Sequence, residues 1–420
     1  MGKARQIGSG GSGAVKNSIV EQFLAESETI DANTFVEFVN KTTVEKSDVT
    51  VQTNLTNNPV AIKIDDTRVI SAVCGSGYLY IQAIEFSNNT LTKGTIVNPI
   101  YSGASSVMLE KLSNNKVFLA VSISSGNGRL GVLTINDLTI TAGSLVDLGS
   151  YNDTLACMCA LDENTVLIGN GDNTINIWTI DGTVPTKQSS ATISGFSQYL
   201  FIVNSVKGLY ALSETKALVI FLVREATTSA NSYSSKFVYC AIVSRSGNSI
   251  SVGNSVKAPF EVIGLQAIHR VKANSVIAFE QVSMSGGYFY GGFVIEVDDE
   301  TIKFGPYTKI SEGSTYSINN NCTSDNNGNL LIPSYETTPY VYITPIRIKG
   351  LSIIVGEKKQ SKQYCSSLYI GEKFLLGFSY VCDVYNYTQK LLVKKSESLI
   401  QGLSKSKITT AQSGKVQLLK

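Results

Sequence analysis

The stretch "LSNNKVFLAV" (112–121) returns in altered letters as "LDENTVLIGN" (161–170): an apolar residue, a polar turn, then an apolar run rich in β-branched side chains. The same pattern occurs in "IDDTRVISAV" from Ile64, "LSETKALVIF" from Leu212, "VKANSVIAFE" from Val271, "DNNGNLLIPS" from Asp325 and "YIGEKFLLGF" from Tyr369. Aligned on the first residue of each apolar run, the seven copies start at Val69, Val117, Val166, Ala217, Val276, Leu330 and Phe374, in steps of 48, 49, 51, 59, 54 and 44 residues. A period near 50 with strand chemistry throughout predicts an all-β fold, a seven-bladed β-propeller.

One unit shows how a blade is spelled. In the third, "TLACMCAL" is the innermost strand, "TVLIGNG" and "TINIWTI" follow, and "TKQSSATISG" is outermost, with "DEN", "GDN" and "DGTVP" as turns. Innermost strands crowd round the axis and should be small and apolar, as "NPVAIKI" and "LACMCAL" are. The stretch "LIGNGDNTINIWTIDG" resembles one WD40-type blade, although no Asp follows Trp178 and no other unit carries the Trp. The long fourth step comes from "REATTSANSYSSK" (224–236), a polar insertion between second and third strands.

The last unit has "SSLYI", "KFLLGFSYV" and "TQKLLVKK", three strands and no fourth. The missing one stands at the front: "EKSDVTVQTNLTNNP" (45–59) matches "LTKGTIVNPIYSG" (91–103) in position and character, so an N-terminal strand should close the ring. Residues 1–44 and 396–420 then emerge together and form one small β-module around an inserted propeller of residues 45–395. Within the front half, a Gly/Ser arm precedes "KNSIVEQFLAES", where Ile19, Val20, Phe23 and Leu24 have helical spacing and Ser18 can cap. A short docking helix is expected there.

Composition excludes several functions. Charged residues make up 16% of the chain and the net charge is +2, so no basic field points to nucleic acid. No apolar run has the length of a spanning helix and "MGKARQIGSGGSG" lacks a secretory core, which predicts no membrane insertion and no signal peptide. Seven cysteines (Cys74, Cys157, Cys159, Cys240, Cys322, Cys365, Cys382) scattered through apolar text read as buried thiols.

Candidate chemistry is sparse, and no cofactor, metal site or catalytic residue is predicted. Gly8, Gly10 and Gly13 satisfy G-x-G-x-x-G, but no strand precedes them, as a phosphate-binding turn would require. His269, the single histidine, sits in "GLQAIHRV", an expected innermost strand, and reads as a hydrogen-bonded channel residue. Cys157 and Cys159 share one strand face without a second cysteine pair to complete a zinc site. Asp65/Asp66 and Asp298/Asp299 read as turn residues. The best recognition text is "GGYFYGG" (286–292), where Tyr288 and Tyr290 share one face and Phe289 the other. These three are the candidate binding residues, as rings for a sugar or a partner's pocket, set against packing between blades.

The ends carry a resemblance. The Gly/Ser start, "IDANTFVEFV", and the terminal "GLSKSKITTAQSGKV" resemble structural proteins of tailed bacteriophages and prophages of Gram-positive hosts. The resemblance implies a non-enzymatic virion protein, made in the host cytoplasm and carried on the particle in several copies. Its module would contact other virion proteins while the propeller serves decoration or adhesion to a host-surface glycan. The alternatives are a carbohydrate-active propeller enzyme or an intracellular propeller scaffold.

Overall fold

The computed structural model describes residues 20–25, 35–52, 60–88, 90–100, 102–123, 128–148, 155–171, 173–194, 200–225, 236–284, 287–313, 323–324, 328–337, 340–356, 358–361, 367–370, 374–378, 381–395, 402–404 and 413–418, with side chains for most of residues 60–358. All secondary structure among them is β, in seven antiparallel-based sheets. The innermost strands are Val60–Lys63, Ala104–Ser113, Leu155–Asp162, Leu200–Ser213, Leu265–Lys272, Thr323–Ser324 and Ser367–Ile370. Each touches the next and the last touches the first. The chain is a β-propeller.

The repeated phrase is the turn between first and second strands of each blade. Asp65 Oδ1 accepts from the N–H groups of Thr67 and Arg68 at 3.0 and 2.9 Å, Asp162 Oδ1 from Asn164 at 2.8 Å, and Ser213 Oγ from Thr215 at 3.3 Å. These short side chains hold the turn by bonding their own backbone. The next carbonyl then accepts from the third strand: Thr67 from Phe86, Asn115 from Ile135, Asn164 from Ile180, Thr215 from Arg245, Asn274 from Val297 and Gly328 from Ile348. Each of these six turns is thereby locked to the third strand of its own blade.

Alternation along the strands makes the core a set of seams between neighbouring blades. In Thr174–Asp181, Ile175 and Ile177 pack toward the fourth blade with Leu209 and Val219, whereas Trp178 and Ile180 pack toward the second with Phe118 and Leu130. The second to fifth blades are covered on both faces in this way.

The outermost strand differs from the expected continuous one. In five blades it is broken into two pieces, such as Thr90–Lys93 and Val97–Ile100, both paired with the same third strand. Each break opens with a glycine, Gly94, Gly143, Gly253, Gly305 or Gly356, whose N–H returns to the third strand at 2.8–2.9 Å. The reason is steric at three of them. A Cβ on Gly94 would lie 2.0 Å from Leu138 O, on Gly143 2.7 Å from Thr183 Cβ and on Gly305 2.2 Å from Leu351 O. All three neighbours belong to the next blade's turn between third and fourth strands, so the glycine is where that turn docks.

The N-terminal strand closes the ring. Phe35–Gln52 pairs antiparallel with Val381–Lys395, with Thr50, Val51 and Gln52 opposite Asp383, Cys382 and Val381 inside the blade. The third strand of this blade begins at Val381, earlier than "TQKLLVKK", because Phe374–Phe378 pairs only with residues 382–386. "TQKLLVKK" instead continues beyond the blade, where it pairs with residues 36–43. The limits at 44/45 and 395/396 therefore fall within or at the end of strands that run unbroken from ring to module.

The module closes on itself. Val20–Ala25 pairs with Ser413–Leu418, which pairs with Gly402–Ser404, which pairs with the start of Phe35–Gln52; that strand pairs with Val381–Lys395, which returns in parallel to Leu24 and Ala25. This is a five-stranded closed circuit, a small barrel without a free edge. The expected helix is thus corrected to the strand Val20–Ala25. Six residues are too few to hold a helix unaided, and the chain's last strand offers a complete ladder instead. Ser18 and Ile19 lie outside the described residues.

Candidate binding groove and the channel wall

A groove of about 700 Å³ opens where turns of the first three blades meet, lined by Arg68, Ser113, Asn114, Asn115, Ile135, Asn136, Asp137 and Glu163. Its walls are preformed. Arg68 is fixed by Asp65, with Nη2 2.6 Å and Nε 2.7 Å from Oδ2, and its Nη1 donates to Asp137 O at 3.2 Å. Multiple hydrogen bonds hold the Asp65 carboxyl below the ordinary carboxylate range despite the opposing effect of burial, which is the largest single contribution. Asp137 stands at φ 52, a left-handed conformation tolerable for Asp in a tight turn. Ser113 Oγ donates to Asn115 Oδ1 at 2.7 Å.

What remains free defines the chemistry. Among the described residues the Asp137 and Glu163 carboxylates have no ion-pair partner, and the Asn114 and Asn136 carboxamides make no hydrogen bond. The lining combines donors and acceptors on carboxamide, carboxylate, guanidinium and hydroxyl groups, with one aliphatic side chain, Ile135. This set suits a ligand rich in hydroxyls, which needs both kinds of partner. The groove was not readable in sequence. Its lining is turn text from three units, and only the turns' proximity makes it a site.

Beneath the groove, the innermost strands are tied across the seams. Glu110, Cys159, Tyr210 and His269 occupy equivalent positions, opposite Phe118, Leu167, Leu218 and Ile277 on their second strands. Ala160 N donates to Glu110 Oε1 at 3.2 Å, Ala211 N to the Cys159 sulfur, and Tyr210 Oη to Ile268 O at 2.7 Å. Arg270 returns the tie by donating to Ala211 O, and to Ala273 O at 2.7 Å in its own turn. Desolvation pushes the Glu110 carboxyl up to about 7 against the pull of the Ala160 N–H and Arg270. The face above is laced as well: Arg245 Nη1 lies 2.6 Å from Asp162 Oδ2, and Lys216 pairs with Glu300 of the next blade.

The residues singled out in sequence are distributed differently. Tyr288–Tyr290 lie in the third strand Gly287–Asp298, paired with Ser283–Gln281 on one side and residues 311–313 on the other. Tyr290 is 4% exposed and packs with Phe279, Val294 and Ile332 in the seam to the sixth blade, which removes it from the binding set. Blade packing claims the ring because a central strand covered on both faces leaves no room for a ligand. The side chains of Tyr288 and Phe289 lie outside the described residues, as do Gly8, Gly10, Gly13, Cys322 and Cys365.

His269 is in an innermost strand, as expected, but its Nε2 is buried and has no hydrogen-bond partner among the described residues, and burial pushes it down to about 4. Cys74, Cys157, Cys159 and Cys240 are free thiols; burial raises Cys157 to about 12 and Cys159 well above its ordinary value, so neither is a ready nucleophile. Asp65 and the strained pair Asp299 and Glu300, at φ 44 and 68, are turn residues.

The sequence matches no family model and no curated protein. Solved structures give similarities of fold. The structure of U3-55K is 10% identical, covering 82% of this chain and 98% of its own at a TM-score of 0.48. The Nup133 β-propeller domain of Vanderwaltozyma polyspora is 12% identical, covering 83% and 97% at 0.49. A Bacteroides fragilis protein proposed as a 6-phosphogluconolactonase is 13% identical, covering 73% and 83% at 0.46. Similarities this distant bear on nothing beyond the fold.

Proposed function

We propose that this protein is a non-enzymatic display protein of a phage particle, whose barrel holds the propeller on the virion surface and whose groove binds a hydroxyl-rich host-surface glycan. The observation that carries the reading is the pair of strands shared by barrel and ring, which makes the propeller an insertion held rigidly by the joined chain ends. The resemblance of those ends to virion proteins supports the platform. The mixed donor and acceptor lining of the groove supports the ligand class. Single contacts would be weak, and many copies on one particle would raise avidity by about 10²–10⁴-fold.

The test compares adsorption to Gram-positive cells, and binding to their purified cell-wall glycan, for particles carrying the wild-type protein, the Asp137→Ala/Glu163→Ala variant, or none. Loss of binding in both altered particles supports the proposal. Undiminished adsorption without the protein would reduce it to decoration of the shell. Because the groove holds two carboxylates, the residue type of glycoside hydrolases, release of reducing ends by purified protein, abolished by Glu163→Gln, would establish an enzyme instead.

A further inference from the structure

We infer that the groove selects sugars bearing a free ammonium group, so that its ligand is a glycan containing unacetylated amino sugars. This deepens the glycan reading of the same groove and rests on it. What decides the ligand's charge is which of the lining charges already have partners within the protein.

The one cation in the lining, Arg68, is engaged. Asp65 Oδ2 accepts from its Nη2 and Nε at 2.6 and 2.7 Å, and Asp137 O accepts from its Nη1 at 3.2 Å. Asp65 is not part of the lining; the N–H groups of Thr67 and Arg68 hold it in its own turn. The guanidinium is therefore a hydrogen-bond donor whose charge is neutralised from outside the groove. Neighbouring lysines do not replace it. Lys63 pairs with Asp66 at 2.8 Å, Lys111 donates to Ile64 O, and Lys116, although next to Asn115 in the chain, does not line the groove.

The two anions are in the opposite condition. Asp137 comes from the turn between third and fourth strands of the second blade and Glu163 from the turn between first and second strands of the third. Both are exposed, and neither has an ion-pair partner among the described residues. The groove thus presents two uncompensated negative charges, and a concave surface concentrates their field. A neutral sugar would meet the Asn114 and Asn136 carboxamides but leave that charge unanswered. An ammonium on the same ring supplies three donors and the missing positive charge, whereas an acetylated amine keeps a single N–H and is neutral. Among the described residues no three His, Cys, Asp or Glu side chains converge as a metal site, so the carboxylates are assigned to the ligand itself.

The test is calorimetric titration of the full chain with soluble oligomers of glucosamine and of N-acetylglucosamine, matched in linkage and length, at mildly acid pH where the free amine is protonated. Each exposed carboxylate should contribute about two- to fivefold, so the glucosamine oligomer should bind about 5–20-fold more tightly and lose that lead in high salt. Asp137→Asn/Glu163→Gln should bind both oligomers alike, and Asp65→Asn should shrink the preference by leaving the Arg68 cation unneutralised. Acetylating the amines of purified cell-wall glycan should weaken its binding in the same way. Equal or tighter binding of the acetylated oligomer, or a preference that survives in the double variant, overturns the ammonium assignment and leaves the groove a site for neutral sugars. A preference that a chelator abolishes overturns it too, because the carboxylates would then be holding a divalent cation. A chain that binds cell-wall glycan but neither oligomer, with acetylation of the glycan making no difference, refutes the ammonium assignment alone. Failure to bind any of the three removes the glycan reading as well.

Discussion

Glu110 and His269 stand at equivalent places in the second and fifth blades, and their linkage to stability runs in opposite directions. The Glu110 value of about 7 in the fold exceeds its ordinary 4.5, so its contribution is full below 4.5 and is lost as pH rises through 7. His269 is lowered from 6.5 to about 4, so its contribution is present above 6.5 and is lost as pH falls through 4. Urea midpoints measured across this range should lose the alkaline decline in Glu110→Gln, a gain of at most about 3 kcal/mol at pH 8. His269→Phe should flatten the acid limb. Variants that merely run parallel to the wild type would dispose of both assignments. Neither behaviour was legible in the sequence, because Glu110 takes its environment from Ala160, 50 residues away, and from blades still further along.

At the scale of elements, the turn phrase announced the blades because its chemistry is local: Asp65, Asp162 and Ser213 bond their own turns wherever the blade lies. The glycine that breaks the outer strand carries a comparable message, but its reason sits in the next blade. Gly305→Ala should cost about 1–3 kcal/mol, since the new methyl meets backbone that cannot rotate away. Gly253→Ala is the internal comparison, with its nearest atom, Ile242 O, at 3.3 Å. It should cost less than about 1 kcal/mol. Equal losses in thermal unfolding would show that the docked turn is not what demands glycine. Helical spacing at 19–24 misled for a related reason: the partner of Val20–Ala25 is Ser413–Leu418, at the far end of the chain.

For the whole molecule, the ring and barrel cannot be separated at residues 45 and 395 without stripping strand 387–395 of its partner, residues 36–44. A fragment of residues 47–386 cuts where the ladder leaves the blade, and it should fold as a monomeric propeller while failing to join particles. A fragment of residues 45–395 should aggregate, because it exposes an unpaired strand edge. Size-exclusion chromatography and particle composition read both outcomes. If residues 47–386 are incorporated as well as the full chain, the barrel is not the anchor. Removing residues 1–52 should also lower the melting temperature well below that of a chain lacking residues 1–13, since only the first loses the closing strand. The groove escaped notice in sequence because it belongs to this scale, where turns from three units become neighbours.

The two strands common to ring and barrel also fix how the molecule bears a load. Were the ring tugged while the barrel stayed put, tension would pass along two covalent backbones, Phe35–Gln52 and Val381–Lys395, and no interface would need to peel. Failure then requires drawing a strand lengthwise out of the barrel, which breaks a whole ladder of hydrogen bonds at once instead of one after another. A tether of this kind gives neither slack nor swivel. In a force-extension experiment it should appear as a single high rupture event with no preceding soft extension.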